Sequence, residues 1–308
     1  MNIEQRRRAA IYGLLIGDAV GVPYEFKALH QLPAIEKIDM QPPHNFARSY
    51  ASIAVGTWSD DGAQALCLLS SLLDSQQLNT EDFMRRICAW YQQGYMAVDG
   101  HVFDVGIQTV EAIHRYQSGI ALDQVAQNHE RANGNGALMR VLPLALWHQG
   151  SDETLIADAY AQSHITHAHL RSKICCALYC LWAREVLQGA QISTGWLNAV
   201  ARFQRLASPK ELDELEQHIL NSQWQQPTGS GYVVDCLKSA YYALQSNSYQ
   251  STIQRAIALG QDTDTTACVA GGIAGLFYGL EGIPQPWLQA LRGRELVEQL
   301  LTQWKSQS

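Results

Sequence analysis

Residues 57–73 read Thr57-Trp58-Ser59-Asp60-Asp61-Gly62-Ala63-Gln64-Ala65-Leu66-Cys67-Leu68-Leu69-Ser70-Ser71-Leu72-Leu73, and the spacing of the apolar members decides the fold class. Ala65, Leu66, Leu69, Leu72 and Leu73 recur at three- and four-residue intervals, which is the period of one helix face. Ser59 and the two aspartates stand where an N-cap and an acidic first turn belong. The same period returns in Ile174, Ala177, Leu178, Leu181 and Trp182, and over 81–94, 104–117, 137–148, 152–162, 231–245, 251–259 and 264–280. Strand-like alternation is scarce, so an all-α architecture is predicted.

The chain has 308 residues, 47% apolar and 17% charged, enough to bury a sizeable core. No repeat of 20–50 residues and no long Pro- or Ser-rich linker divides it, so residues 1–308 are expected to form a single domain. The weakest region is 190–230, with Pro209, Pro227 and Gly229-Ser230-Gly231, read as two short helices in a surface insertion. A net charge of -7 lacks the basic excess that binding to a phosphate backbone needs, which disfavours broad nucleic-acid binding. No apolar run reaches the roughly 18 residues of a membrane span. Arg6-Arg7-Arg8 followed by Ala9 to Gly17 superficially copies a signal peptide, but Asp18 closes the stretch and no cleavage pattern follows before Pro23. Seven cysteines without a CxxC pair read as reduced core residues of a cytoplasmic protein.

Two clusters of oxygen-bearing side chains stand out. One is Ser59-Asp60-Asp61; the other, about 200 positions later, is Asp262-Thr263-Asp264-Thr265-Thr266, again just before a helix. Helix capping accounts for one carboxylate at each. Adjacent like charges exceed what a cap requires and cost free energy unless a cation offsets them. Carboxylate and hydroxyl oxygens suit hard ions such as Mg²⁺, Mn²⁺ or Ca²⁺, and the absence of His and Cys from both clusters disfavours zinc and copper. If the two helix starts converge, six side chains would surround one or two ions.

Other segments are weaker taken singly. Gly13, Gly17 and Gly21 at four-residue spacing allow a close helix approach or leave room for a ligand, and Asp18 and Glu25 are carboxylates in apolar surroundings. Asn133-Gly134-Asn135-Gly136 is either a plain turn or a loop whose position at a helix start directs backbone N–H groups toward a phosphate. It lacks the lysine of a Walker loop and the preceding strand of a dinucleotide fingerprint. His164, His167 and His169 read as hydrogen-bonded surface or pocket residues rather than a zinc site.

Taken in order, these segments resemble the ADP-ribosylglycohydrolase family. The matching pieces are Gly13 to Gly21 through Glu25-Phe26, Trp58-Ser59-Asp60-Asp61, Asp104-Val105-Gly106, Gly134-Asn135-Gly136 through Met139-Arg140, Thr166-His167, and Gly260 through Thr265 followed by Gly271-Gly272 and Gly275. The resemblance implies a compact orthogonal all-α domain with a binuclear Mg²⁺ or Mn²⁺ cleft, its ligands being Ser59, Asp60, Asp61, Asp262, Asp264 and Thr265. It implies acid/base or water-positioning work for Asp104 and Glu25, with Asp61 beside them. It also implies ADP-ribose contacts from Gly134, Asn135, Gly136, His167 and Asp18. Family members often carry Thr where Ser59 stands and Gly where Gln261 stands; Gln261 is a departure adjoining the metal site.

The activity implied is hydrolysis of the bond joining ADP-ribose to a modified acceptor, with arginine on a protein as the leading acceptor. Such a reaction passes through an oxocarbenium-like state and needs an activated water and protonation of the leaving group. Serine-, O-acetyl- or nucleic-acid-linked ADP-ribose are alternatives on the same centre. A non-catalytic protein that neutralises an ADP-ribosylating toxin by binding is another, and the full set of acidic ligands argues against it.

Overall fold

The first helix begins with a reciprocal cap: Asn2 Oδ1 accepts the Gln5 N–H at 2.8 Å and Gln5 Oε1 accepts the Asn2 N–H at 2.9 Å. The computed structural model describes residues 1–221 and 226–307. After α1 (Ile3–Gly21) a long stretch of turns leads to α2 (Asp60–Ser75), α3 (Thr80–Gln93), α4 (Ile107–Gln117), α5 (Leu142–Trp147), α6 (Asp152–His164) and α7 (Leu170–Leu187). The second half holds α8 (Ile192–Leu206), α9 (Pro209–Glu214), α10 (Val233–Ala243), α11 (Tyr249–Ile257), α12 (Thr263–Tyr278), α13 (Gln285–Ala290) and α14 (Arg294–Gln307). Among the described residues there is no strand. Two isolated bridges, Gln127 with His167 and Gly134 with Tyr232, tie the 127–134 loop to its neighbours.

Helices α1, α2, α7 and α12 are buried on all sides over most of their length, as all-round apolar or small-residue helices must be. Helices α3, α8 and α11 bury one face only, α3 through Phe83, Met84, Ile87, Cys88 and Trp90. The closest packing is an antiparallel seam between α1 and α12. A methyl group on Gly13 would lie 2.4 Å from the Gly271 carbonyl oxygen, one on Gly17 2.1 Å from that of Ala267, and one on Gly275 2.3 Å from that of Ala9. Glycine is needed here for space, because neither Gly13 nor Gly17 has a positive φ. Tyr249 Oη closes the seam from the side by donating to the Gly13 carbonyl at 2.6 Å.

All seven cysteines are free and buried. The Arg6-Arg7-Arg8 run belongs to α1: Arg6 donates to the Val186 carbonyl at 3.0 Å, Arg7 to that of Leu146 at 2.9 Å, and Arg8 pairs with Glu298 at 2.5 Å. No helix is long and apolar enough to cross a membrane, among the described residues.

One expectation needs correction. The helix expected over 137–148 is α5 alone, preceded by turns over 137–141. Pro143 has no N–H to continue a helical ladder, and the Met139 carbonyl is met instead by Cys268 Sγ at 3.6 Å. The 190–230 segment, of which residues 222–225 lie outside the described residues, packs one face onto the core. Trp196, Phe203, Leu215 and Ile219 are core residues, and the rings of Trp182 and Trp196 meet edge to face at 5.3 Å. The segment also backs the chemistry, since Gly229 and Gly231 carbonyls accept the N–H groups of Asp262 at 2.9 Å and Asn135 at 3.0 Å.

The seam leaves no space for added volume. Gly17→Ala should lower unfolding free energy by about 1–3 kcal/mol or more, since the methyl meets backbone that cannot rotate away. An unchanged denaturation midpoint in urea would contradict the seam's closeness.

Candidate functional site

The seam decides where the acidic residues sit. Gly21, at the end of α1, lies against the start of α12, where a methyl group would stand 2.4 Å from the Asp264 Cα. Thr263 Oγ1 donates to the Gly21 carbonyl at 2.9 Å. One turn earlier on α1, the Asp18 carboxylate accepts the Ser59 N–H at 2.9 and 3.1 Å and the Gly62 N–H at 2.8 Å. It caps α2 from another helix, meeting N–H groups that have no partner inside α2. Ser59 is the N-cap, its Oγ accepting the Asp61 N–H at 3.3 Å.

The two acidic helix starts therefore meet, and Thr265 Oγ1 donates to Asp61 Oδ1 at 3.3 Å across 204 residues of sequence. Carboxylate oxygens of Glu25, Asp104 and Asp264 all come within 4.8 Å of one another. Four buried carboxylate oxygens have no hydrogen-bond partner among the described residues: Glu25 Oε2, Asp61 Oδ2 and both of Asp264. Desolvation first, and then mutual repulsion, holds Asp60, Asp61 and Asp264 well above the usual carboxylate range and pushes Glu25 up to about 10. Orphaned, like-charged, all-oxygen donors fit a hard cation, which would occupy those oxygens and reverse their preference for protons.

A cleft of about 630 Å³ opens over this floor. Asp60, Asp61, Asp262 and Thr265 line it together with Glu25 and Asp104. Gly134, Asn135, Gly136 and His167 line it as well. Asn135 Nδ2 donates to Asp262 Oδ2 at 2.9 Å, joining the loop to the acidic floor. Gly134 and Gly136 make room rather than turn the backbone: a methyl on Gly136 would lie 2.8 Å from Cε1 and 3.0 Å from Nε2 of His167. The N–H groups of Gly134 and Asn135 are spent on Gln108 Oε1 and the Gly231 carbonyl, both at 3.0 Å. The loop accordingly does not present those two amides to a phosphate as expected, and no helix starts directly after it.

Two expected residues stand behind the lining. Ser59 and Asp264 do not line the cleft, although Asp264 meets Glu25 and Asp104 through its oxygens. Asp18, expected at the substrate, also lies outside the lining, and both its oxygens are committed to α2. Through these bonds it holds the α2 start.

Backbone strain gathers at the rim. Phe26, Tyr50, Asp104 and Gln261 have φ of 59°, 48°, 55° and 61°, in the left-handed region that non-glycine residues seldom adopt. Phe26 N–H to the Gln261 carbonyl at 2.6 Å and Gln261 N–H to the Lys27 carbonyl at 2.9 Å lock the segment after α1 to the loop before α12. This pair holds Gln261 in the conformation a glycine would adopt freely. Burial, and then the charges of Glu25 and Asp104, push the Tyr50 hydroxyl above its ordinary range, and its ring packs on Phe103 at 5.1 Å and Phe26 at 6.1 Å. Sequence reasoning missed Tyr50; an isolated tyrosine in a loop has no pattern to betray it.

Comparison with known proteins places this geometry among relatives. The model of the family described as ADP-ribosylglycohydrolase matches residues 1–307. The chain is 28% identical over 302 residues to "ADP-ribosylarginine hydrolase Tri1" of Serratia proteamaculans, covering 97% of this chain and 78% of that protein. It is 27% identical over 342 residues to "ADP-ribosylhydrolase ARH3" of Bos taurus, covering 96% and 91%. A solved structure titled "ADP-ribosylglycohydrolase-related protein complex" superposes with a TM-score of 0.77 at 29% identity, covering 98% of this chain and 97% of that one.

The acidic floor makes stability depend on pH and cation. Without metal, Asp18 and Glu25 bind protons more tightly folded than unfolded, so their contribution is fully present below the ordinary carboxylate range. It is lost as pH rises from 3.8 to about 7 for Asp18 and from 4.5 to about 10 for Glu25. Thermal unfolding of the chelated protein should thus shift upward from about pH 8 to about pH 5, and Mg²⁺ or Mn²⁺ should raise Tm more at the higher pH. A chelated protein whose Tm climbs with pH would contradict this.

Proposed function

The chain belongs to the ADP-ribosylglycohydrolase family, and from that premise we propose that it removes ADP-ribose from arginine side chains of modified proteins. The observation that carries the reading is the set of buried, unpartnered oxygens from Glu25, Asp61 and Asp264 at a cleft lined also by Gly134, Asn135, Gly136 and His167. Two Mg²⁺ or Mn²⁺ ions would be held by Ser59, Asp60 and Asp61 from α2 and by Asp262, Asp264 and Thr265 from α12. Bound there, they supply Lewis acidity and a template for water and ribose hydroxyls.

The chain's own residues do the rest. Glu25 and Asp104 are the groups that position the attacking water and move its proton, with the Tyr50 hydroxyl near both. Water adds its oxygen to the anomeric carbon, the carbon–nitrogen bond breaks, and the water's proton ends on the departing guanidine nitrogen, leaving ADP-ribose and arginine. Asn135, Gly134, Gly136 and His167 bind the ADP-ribose portion.

Arginine as acceptor is supported by the wall on the acidic side. Phe26, 67% exposed, stands with Tyr50 and Phe103 beside Glu25 and Asp104, and a planar guanidinium stacks on rings while pairing with carboxylates. The relative named for arginine covers nearly the whole chain. Free thiols at all seven cysteines agree with a reducing, cytoplasmic setting.

Release of ADP-ribose from a defined arginine-modified peptide should proceed with Mg²⁺ or Mn²⁺ and stop with chelator. Asp264→Asn should keep the fold and lower kcat/KM about 100-fold or more, corresponding to roughly 2.7 kcal/mol. Preferential turnover of serine- or O-acetyl-linked ADP-ribose would reassign the acceptor. Absence of turnover on every linkage would favour a binding protein.

A further inference from the structure

Arg140 is wholly buried with no carboxylate touching it. Its guanidinium donates to Gln64 Oε1 at 2.8 Å, Gln162 Oε1 at 3.3 Å, the Gln162 carbonyl at 3.0 Å and Thr166 Oγ1 at 2.7 Å. Its carbon lies 5.1 Å from the centre of the Phe83 ring. Every direct partner is neutral. Desolvation lowers Arg140 to about 10, which leaves it charged at neutral pH. A buried cation held by neutral acceptors is costly, so its effect on those acceptors needs an explanation.

A guanidinium can only donate. Gln64 must therefore turn its oxygen to Arg140, which leaves its amide to donate to Asp60 Oδ2 at 3.2 Å. Thr166 Oγ1 must likewise accept from Arg140. The same hydroxyl lies 2.8 Å from Nδ1 of His167, and among the described residues it has no third side-chain partner. Its one proton goes to Nδ1, because a buried hydroxyl otherwise leaves that proton unspent. Nδ1 is then an acceptor. Burial, with Arg140 nearby, lowers His167 to about 3, so the ring is neutral and its proton sits on Nε2. That nitrogen lies beside Gly134 and Gly136 in the wall of the cleft.

We infer that Arg140 and Thr166 are positioning residues that lock His167 as the Nε2–H tautomer, so that the cleft offers a donor at this point to an oxygen of bound ADP-ribose. One guanidinium thereby sets the direction of hydrogen bonding along two arms, toward Asp60 on the acidic floor and toward His167 in the lining of the cleft. The tautomer follows from the hydrogen bonds alone; its use by ADP-ribose rests on the function proposed above.

Imidazole ¹⁵N shifts of labelled full-length protein, without ligand, read the tautomer, and calorimetry with ADP-ribose in Mg²⁺ reads its use. Wild type and Thr166→Ser should show the Nε2–H form and equal affinity. Thr166→Val removes the hydroxyl at similar volume; it should lose the single tautomer and weaken ADP-ribose roughly 10-fold, about one hydrogen bond. A wild-type ring protonated at Nδ1 overturns the lock, even if the valine variant fails to fold. A folded valine variant with unchanged affinity overturns the positioning role. A wild type with the Nε2–H form but no affinity for ADP-ribose upholds the lock and overturns the functional reading instead.

Discussion

Everything at the floor of the cleft depends on two backbones packed without side chains between them. Along α1 and α12, Gly13, Gly17 and Gly21 face Gly271, Ala267 and the Asp264 Cα with no space for a methyl group. That approach sets the height at which α12 begins relative to α1, and so where Asp262, Asp264 and Thr265 stand. Asp18 transmits the same position to α2, since one carboxylate receives the N–H groups of both Ser59 and Gly62. Three helix ends are thus fixed by one seam and one carboxylate. Thr265 and Asp61 then meet although 204 positions separate them.

Such an arrangement stores repulsion. Asp60, Asp61 and Asp264 are buried together, and desolvation followed by neighbouring charge holds all three well above the usual carboxylate range. The protein offsets part of this with dipoles and hydrogen bonds: the α2 start faces Asp18, Gln64 donates to Asp60, and Asn135 donates to Asp262. The carboxylate oxygens that remain orphaned among the described residues belong to Glu25, Asp61 and Asp264, where a cation would do most. The strained backbone at Phe26, Tyr50, Asp104 and Gln261 surrounds the same point, consistent with a site whose geometry is imposed by its surroundings.

Much of this was legible in the sequence because it repeats. The period of Leu66, Leu69, Leu72 and Leu73 announces a helix, and paired acidic helix starts at 59–61 and 262–265 announce an excess of carboxylate over capping. The glycine spacing announced a close approach without naming α12 as the partner, which no local pattern can do. What stayed hidden depends on single residues in irregular chain. Tyr50 and Phe103 sit in loops, and the joint work of Gln64, Arg140 and Thr166 exists only once α2, the 137–141 turns and the end of α6 come together. Asp18 stands out in the sequence as a carboxylate among apolar residues, but its bonds to the Ser59 and Gly62 N–H groups join helices distant in sequence and have no local pattern. In the 190–230 segment proline and glycine mark turns, but which of them meet the site, as Gly229 and Gly231 do, has no local signal.

Anomalous diffraction from crystals soaked in Mn²⁺ tests most directly whether the seam holds the oxygens ready for a cation. The account places anomalous density in direct contact with carboxylates of Asp61 and Asp264, with the backbones of α1 and α12 where they stand without metal. Manganese confined to histidines or the outer surface, or bound only after α1 and α12 have moved apart, would contradict it.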